Sequence, residues 1–270
     1  MSSPDTPSFI QPANLTLAEI RRRWFAPGAA EVPVHVVRAL AADPRAGAAA
    51  LVARARATER QREAARAHDR RMLAHETPLW RAGARRIAGI DEAGMGPLAG
   101  PIVAAAVAWP AGTAISGLDD SKRLDAGRRQ LLFDRIKQAA AAWSIGLATP
   151  AEVDAINVYQ AGLLAMRRAV EAMRPAPTHL LVDARRVPGF AGPQQSLVHG
   201  DQLSASIAAA SIVAKVIRDR IMMNHDRRYP GYGFCRHKGY GTAAHRRALR
   251  RLGPSPIHRR SFHFSDLEDS

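Results

Sequence analysis

The chain has 270 residues, of which 47% are hydrophobic and 23% are charged, with 20 glycines and 18 prolines. This length is sufficient for one hydrophobic core and a smaller appendage. The composition excludes a disordered tail, a collagen-like fibre and a disulfide scaffold, which need low apolar content, a triplet glycine repeat and many cysteines respectively. We therefore expect a globular protein.

Cysteine content and hydropathy bear on the compartment. The single cysteine, Cys235, precludes an internal disulfide and favours a reducing environment. The apolar runs are far shorter than the about 20 residues that cross a bilayer. The first residues lack the basic and apolar regions of an export signal. These features predict a cytoplasmic protein without a membrane partner.

The formal net charge is +15 at pH 7. A positive field of this size concentrates polyanions near the surface and favours nucleic acid as a partner. Most of the positive charge is arginine, which makes bidentate contacts with phosphate. The alternative is that arginine enrichment reflects genome composition, because alanine is also abundant. Charge leaves both interpretations open, so function has to be argued from a site.

Residues 1–84 are predicted to form a helical extension. The segments 15–24 and 48–80 consist mainly of Ala, Arg and Glu with scattered apolar residues, a composition that favours helices. Thr16 followed by Glu19 is typical of a capping box. Arginines exceed acids over residues 54–71, which indicates that the extension helps to hold a nucleic-acid duplex. A solvated helical face without a ligand is the alternative.

From residue 85 onward, short apolar runs alternate with longer amphipathic stretches, which predicts an α/β domain. Residues 226–270 are basic and punctuated by glycine. The patterns predict strands at 87–90, 102–109, 142–147, 179–183 and 195–199 and helices at 128–141, 152–173 and 204–225.

Carboxylates follow three of the predicted strands: Asp91 and Glu92 after the first, Asp183 after another, and Asp201 after the last. If these strand ends meet at one edge of the sheet, the acids lie in the place where α/β proteins position their sites. Clustered like charges raise each other's pKa, and a divalent cation removes that cost. Oxygen ligands suit Mg²⁺ or Mn²⁺, and a pair of such ions activates water for phosphodiester hydrolysis.

One difficulty concerns Asp91 and Glu92. Adjacent residues on a regular strand point to opposite faces, so both reach one metal pair only if the backbone turns. The glycines Gly94 and Gly96 permit such a turn. An isolated Asp at a strand end more often forms a turn or a helix cap, but three such ends with four acids favour a metal site.

The run 88–101, AGIDEAGMGPLAGP, resembles the signature of ribonuclease HII. Other segments resemble the same family in the family's order, so that the resemblance covers roughly residues 86–262. These segments are Asp120-Ser121-Lys122, Ile156-Asn157, Leu181-Val182-Asp183, Gly200-Asp201, 206–215 with Arg218-Asp219, 229–233 and 237–242.

The resemblance implies a ribonuclease H-like mixed sheet flanked by helices, with residues 85–225 as the catalytic domain and residues 226–270 as a basic substrate-binding region of the same domain. It implies an endoribonuclease that hydrolyses the RNA strand of RNA/DNA hybrids and cuts on the 5′ side of ribonucleotides embedded in duplex DNA, with water activated by a divalent metal. By similarity, the metal-binding and catalytic carboxylates are Asp91, Glu92, Asp183 and Asp201.

The family resemblance also implies substrate-binding residues. Backbone groups of the loop Gly94-Met95-Gly96 approach the ribose 2′-hydroxyl, which distinguishes RNA from DNA. Tyr240 matches a tyrosine that stacks on the sugar of the following nucleotide. The alternatives without a ligand are a plain tight turn for the glycine loop, a half-buried loop aromatic for Tyr240 and solvated surface charges for Lys122 and Lys215. The remaining matches near the nucleic acid are Lys122, Asn157 and Lys215.

Met95 departs from the family, which usually has arginine between the two glycines. Methionine cannot make a charged phosphate contact, so recognition of the junction between ribonucleotide and DNA is expected to weaken by about 1.5 to 3 kcal/mol. Two alternatives stay open. One is an enzyme resembling ribonuclease HIII, which also varies this loop and favours long hybrids. The other is a basic nucleic-acid-binding protein without catalysis, against which the intact set of four acids argues.

Overall fold

The computed structural model describes residues 12–29, 31–113 and 115–262 and contains two compact units. We call the described parts the helical unit, residues 12–67, and the sheet unit, residues 68–262. The strands are β1 (Ile87–Ala93), β2 (Ile102–Ala108), β3 (Ala142–Ala148), β4 (His179–Asp183) and β5 (Gln194–Leu197). The α-helices are α1 (Leu17–Trp24), α2 (Val34–Ala41), α3 (Ala48–Met72), α4 (Glu76–Arg81), α5 (Ala126–Ala139), α6 (Pro150–Ala172), α7 (Ala205–Arg228), α8 (Phe234–His237) and α9 (Ala243–Leu252).

The helical unit is built on an apolar cluster that includes Ile20, Val36 and Leu40 from its first two helices. The predicted capping box is confirmed. The backbone N–H of Thr16 donates to Glu19 Oε2 (2.8 Å), and the N–H of Glu19 donates to Thr16 Oγ1 (3.2 Å). These two bonds satisfy donors that a helix start leaves free, so α1 begins where the sequence indicates.

The segment 48–80, whose composition favours helices, forms α3 and most of α4, with a break at residues 73–75. The last residues of α3 and all of α4 belong to the sheet unit. Met72 is buried in one of its apolar layers, and Glu76 is fully buried. Part of the segment predicted as an extension therefore belongs to the core of the larger unit.

The sheet unit confirms the predicted α/β class. Its five strands lie in the order β3-β2-β1-β4-β5 and form a mixed sheet. β2 is antiparallel to both β1 and β3, whereas β1, β4 and β5 are parallel to one another. The parallel pairing of β1 with β4 brings the carboxyl ends of both strands to the same edge.

Helices cover both faces of this sheet, and β2 is buried along its whole length. Ala104 and Ala106 belong to the apolar layer that contains α6, whereas Ala105 and Val107 belong to the layer that contains α5 and α7. This alternation is what a strand with two covered faces requires. Gly89 permits a close approach of α7, because a Cβ atom there would lie 2.0 Å from the carbonyl carbon of Ser206.

Two local irregularities affect the site. β5 ends at Leu197, and His199 adopts φ 56°, which leads into a 3-10 turn at Gly200–Gln202. Asn157 interrupts α6 with φ 67° and ψ 163°. Within the three described stretches of the chain, none of the helices combines the length and apolar character that a bilayer span needs.

Candidate active site

β1 continues through Asp91 and Glu92 and ends at Ala93, so the backbone turn lies after the two acids. Asp91 accepts a hydrogen bond from the Ser211 hydroxyl on α7 and a second, 2.7 Å long, from the N–H of Glu92. Glu92 instead pairs with Arg185, with Nη1 3.5 Å from Oε1. The two adjacent carboxylates therefore have different partners, as the alternation of a regular strand requires.

Asp183 and Asp201 come from the neighbouring parallel strands. Asp183 ends β4, and its Oδ1 accepts a hydrogen bond from the N–H of Gly200 (2.8 Å). Asp201 lies in the 3-10 turn after β5 and is 5% exposed. Its carboxyl shares a hydrogen bond with that of Asp120. The turn is thus connected directly to the end of β4.

The carboxylates of Asp91, Glu92 and Asp183 repel one another in a largely buried environment. Burial, followed by repulsion from Glu92 and Asp183, raises the pKa of Asp91 well above its usual value. Burial also raises the pKa of Glu92, and Asp183 adds to the rise, although Arg185 and Lys122 oppose it. Proximity of the negative charges is therefore unfavourable in the absence of a cation.

Asp201 belongs to the same electrostatic cluster. Burial, then Asp120 and Asp183, raise the pKa of Asp201 to about 6, although Lys122 opposes the shift. Burial tends to lower the pKa of Lys122, but the acids, led by Asp120 and Asp201, raise it. We call Asp91, Glu92, Asp183, Asp201 and Asp120 the acidic cleft, which Lys122 borders.

The donors of the acidic cleft fit a hard divalent cation. All of them are carboxylate oxygens, which Mg²⁺ and Mn²⁺ prefer. Glu92 Oε2 is buried without a hydrogen-bond partner, a state that a bound cation would relieve. In the described parts of the chain, no three Asp, Glu, His or Cys side chains form a ready-made ligand group. The divergence of Asp91 and Glu92 along β1 is consistent with that finding.

Residues 94–96, which we call the glycine loop, follow β1. Gly94 has φ 100°, and a Cβ atom there would lie 2.1 Å from Arg218 Nε, so packing requires glycine. A Cβ atom at Gly96 would meet nothing within 4 Å. The two glycines therefore differ: Gly94 is needed inside the fold, whereas Gly96 faces open space.

One buried arginine, Arg259, holds the glycine loop in place by hydrogen bonds, and a second, Arg218, packs against Gly94. The Arg259 guanidinium donates to the carbonyls of Gly94 (2.5 Å) and Met95 (2.9 Å). The Arg218 guanidinium donates to the carbonyl of Pro101 (3.0 Å), immediately before β2. Burial lowers the pKa of Arg259 to about 9, and the charge of Arg218 adds to this effect. The loop is thus a fixed element.

The remaining predicted substrate residues differ in their exposure and contacts. Tyr240 is 43% exposed, and the Arg218 guanidinium lies 5.9 Å from its ring centre. Lys215 donates to Asp219 one turn along α7 (2.7 Å). Asn157 is exposed at the kink of α6, where its Oδ1 accepts a hydrogen bond from the N–H of Gln160 (3.0 Å). Tyr240 is thereby associated with the glycine loop through Arg218.

Sequence reasoning missed four residues that shape the site. Asp120 and Ser211 lie in segments that carry the family resemblance, but their contacts with Asp201 and Asp91 depend on the tertiary fold. Arg185 and Arg259 stand among many other arginines. Only their positions distinguish them: Arg185 is half-buried beside Glu92, and Arg259 is buried beside the glycine loop.

A mixed sheet in this order, with acids at the carboxyl edge of its central parallel strands, defines a ribonuclease H-like hydrolase. The sequence profile named Ribonuclease HII matches residues 88–265. The chain therefore belongs to the ribonuclease HII family, and it is an RNA-hydrolysing nuclease.

Individual relatives agree with this assignment. A ribonuclease HII from Myxococcus xanthus (strain DK1622) is 53% identical over 247 residues, which cover 91% of this chain and 84% of the relative. A ribonuclease HII from Geobacillus thermodenitrificans (strain NG80-2) is 53% identical over 220 residues, covering 82% and 85%. The crystal structure of the ribonuclease H2 from Pyrococcus horikoshii OT3 has a TM-score of 0.56 at 25% identity, covering 66% and 94%. The ribonuclease HII of Archaeoglobus fulgidus, solved in complex with PCNA, has a TM-score of 0.55 at 25% identity, covering 66% and 95%.

Proposed function

We propose that this protein is a metal-dependent endoribonuclease that hydrolyses the RNA strand of RNA/DNA hybrids and cuts on the 5′ side of ribonucleotides embedded in duplex DNA. The acidic cleft beside an open glycine loop is the observation that carries the proposal. Acids that mutually raise their pKa need a counter-cation. The proposed site of action is the cytoplasm.

The proposed metal-binding residues are Asp91, Glu92, Asp183 and Asp201, and the ion is Mg²⁺ or Mn²⁺. When bound, the ion supplies an activated water and stabilises the leaving oxygen. Asp91 and Glu92 have different partners along β1, and both would provide carboxylate oxygens to the ion. Lys122 balances the excess negative charge of the free cleft.

Selection of ribonucleotides is assigned to the glycine loop and Tyr240. A Cβ atom at Gly96 would meet nothing within 4 Å, so a sugar can approach its backbone, and a ribose offers a 2′-hydroxyl that DNA lacks. Tyr240 has an exposed ring on which the next sugar can stack. Lys122, Asn157 and Lys215 are proposed as further contacts with the strand.

The decisive experiment is an incision assay on a DNA duplex that contains one ribonucleotide, with Mg²⁺, with Mn²⁺ and with a chelator. We expect a single cut on the 5′ side of the ribonucleotide, with a 3′-hydroxyl and a 5′-phosphate, only when the metal is present. The all-DNA duplex is the control. If the chain binds the ribonucleotide-containing duplex and the all-DNA duplex but cleaves neither with Mg²⁺ or with Mn²⁺, it is instead a non-catalytic binding protein.

The uncharged Met95 favours a second candidate, an enzyme that prefers long hybrids, as the ribonuclease HIII-like alternative does. The same assay separates the two when a fully hybrid duplex is included. Cleavage of the long hybrid without incision at a single ribonucleotide would support the second candidate.

We further propose that the helical unit helps to hold the duplex. Arg56 and Arg60 are exposed one turn apart on α3. The double variant Arg56→Glu with Arg60→Glu is expected to weaken hybrid binding by about tenfold at low salt, and less at high salt. Two reversals elsewhere in the unit, Arg38→Glu with Arg22→Glu, change the net charge equally and serve as the control. If the two double variants weaken hybrid binding equally, the net charge of the protein accounts for the effect, and α3 does not contact the duplex through these arginines.

A further inference from the structure

Arg185 lies just beyond β4, two residues after Asp183. Its side chain is 18% exposed and lies beside the acidic cleft. The Nη1 atom is 3.5 Å from Glu92 Oε1 and 3.9 Å from the Met95 sulfur. The guanidinium carbon lies 5.0 Å from the ring centre of Tyr159, which is itself 51% exposed. One guanidinium thus contacts the acidic cleft, the glycine loop and α6.

The fold leaves space for this guanidinium at Gly162. A Cβ atom at that position would lie 2.7 Å from Arg185 Nη1 and 3.0 Å from the Met95 sulfur. Both distances are too short for van der Waals contact, so any larger residue at 162 would displace one of the two side chains. Gly162 therefore permits Arg185 and Met95 to occupy the same corner of the cleft.

The hydrogen-bonding capacity of Arg185 is largely unused. A guanidinium has five N–H donors, and in the described part of the chain its polar contacts are one carboxylate oxygen of Glu92 and the weakly accepting sulfur of Met95. Arginine favours bidentate contacts with phosphate. The Met95 side chain brings no charge to this side of the glycine loop.

Glu92 cannot remain the sole counter-charge of Arg185 once a cation occupies the acidic cleft. The cation would then share Glu92, and a mostly buried guanidinium needs a new anion close by. The anion that arrives with the metal is a phosphate of the nucleic-acid backbone.

We propose that Arg185 is a phosphate-binding residue, which neutralises Glu92 in the free protein and donates to a backbone phosphate beside the glycine loop when nucleic acid is bound. This inference rests on the proposed function, because it takes a ribonucleotide-containing strand as the ligand. It assigns to Arg185 the charge that Met95 lacks.

The test measures equilibrium binding of a fluorescently labelled RNA/DNA hybrid with Ca²⁺ in place of Mg²⁺, so that a divalent ion is available to the acidic cleft, and gel analysis of the same samples establishes that the hybrid is intact. Arg185→Ala is compared with Arg186→Ala, an exposed neighbour whose loss changes the net charge equally. We expect Arg185→Ala to weaken binding about tenfold and to reduce the salt dependence by about one phosphate contact. We expect Arg186→Ala to change binding less than about twofold.

A relocation of the charge sharpens the test. Met95→Arg combined with Arg185→Ala returns a guanidinium to the same corner and is expected to recover most of the lost affinity. Arg185→Lys retains the charge but not the planar pair of donors, so we expect an intermediate affinity. Thermal unfolding of each variant establishes that the chain is folded.

The outcomes separate this inference from the proposed function. Equal affinities for Arg185→Ala and Arg186→Ala would overturn the inference. The same holds if Arg185→Ala changes only the metal concentration needed for activity, because Arg185 would then act on Glu92 alone. A wild-type chain that binds the hybrid and does not cleave it when Mg²⁺ or Mn²⁺ is supplied would overturn the proposed function and leave the binding comparison valid. A wild-type chain that does not bind the hybrid would overturn both.

Discussion

The Nε2 atoms of His245 and His258 lie 3.0 Å apart in a buried cluster, and a single proton joins them. His245 Nδ1 faces the carbonyl of Tyr240 (2.9 Å), so Nδ1 carries the proton and Nε2 accepts. His258 Nδ1 accepts from the N–H of Ser255 (2.9 Å), so its Nε2 donates. Both rings are neutral in this arrangement, and a second proton would place two donors face to face.

This pair predicts a loss of stability in acid. Burial lowers the pKa of His245 and that of His258 to about 4; the charge of His237 adds to the lowering for His245, and that of His245 adds to the lowering for His258. Since unfolded histidine has a pKa near 6.5, the unfolded state binds more protons between about pH 6.5 and 4, and the free energy of unfolding falls as the pH falls. We expect the pair to contribute about 2 kcal/mol of this loss.

Urea unfolding at several pH values checks this expectation. His258→Ala should lower stability at pH 7 and should also flatten the slope between pH 6.5 and 4, whereas a variant of the exposed His35 should retain the wild-type slope. A wild-type slope in His258→Ala would show that the acid sensitivity arises elsewhere.

The acidic cleft predicts the opposite pH dependence in chelator. The pKa of Asp201 is raised to about 6, chiefly by burial and then by Asp120 and Asp183. The folded state therefore retains a proton that the unfolded state loses, and stability falls as the pH rises from about 4 to 6. Asp201→Asn avoids this loss and should be more stable than the wild type by about 1 kcal/mol at pH 7.5, after allowance for solvent screening.

Added Mg²⁺ or Mn²⁺ should reverse that order, because the ion stabilises only the chain that retains the full carboxylate set. The measurement is the free energy of unfolding of both proteins in chelator and in metal at pH 5 and pH 7.5. A difference between the two proteins that is independent of pH and metal would contradict a cation site at Asp201.

Asp91 should be essential for turnover and dispensable for folding. We expect Asp91→Asn to retain the hydrogen bond with Ser211 and to lose activity at least about a hundredfold, because the neutral amide is a poor ligand for a divalent ion. Single-turnover cleavage and circular dichroism are the measurements, with Asp119→Asn as the control. Wild-type cleavage by Asp91→Asn would refute the assignment.

Glu76 should stabilise the start of α7 and the turn that carries Asp201. Its Oε1 accepts from Ser204 Oγ (2.6 Å) and from the N–H of Ser206 (3.0 Å) in a fully buried place. Glu76→Ala leaves both donors unsatisfied and should lower the free energy of unfolding by about 2 to 4 kcal/mol. Glu76→Gln retains an accepting oxygen and should lower the free energy of unfolding by about 1 kcal/mol.

Denaturant unfolding measures both variants of Glu76, with Arg81→Ala, an exposed change on the same helix, as the control. If Glu76→Ala is as stable as Arg81→Ala, the buried carboxylate does not hold the start of α7.

The parts of the molecule that the sequence predicted are those with local causes. Thr16 and Glu19 identify a helix start because both hydrogen bonds form within four residues. Asp183 directly follows an apolar run, and β4 ends at this residue. By contrast, α2 begins with Val-His-Val-Val, a β-branched run that resembles a strand, and its helical form depends on the packing of Val36 and Leu40.

The candidate site was predictable in its residue types but not in its pairings. The acids and the glycine loop are adjacent to strand signals, so their presence at the sheet edge follows from the pattern. Glu92 pairs with Arg185 because of the path that the chain takes after β4. The same arginine contacts Met95, which is 90 residues away in sequence. The hydrophobic periodicity of a sequence indicates local structure and cannot predict a contact between residues so far apart in sequence.

The arginine that fixes the glycine loop lies far from it along the chain. Arg259 reaches back over 165 residues to the carbonyl of Gly94, and ribosomal synthesis proceeds from the amino terminus. A nascent chain therefore cannot finish this loop until Arg259 has been synthesised. Throughout the synthesis of the 165 residues that follow Gly94, the loop lacks the guanidinium that fixes it.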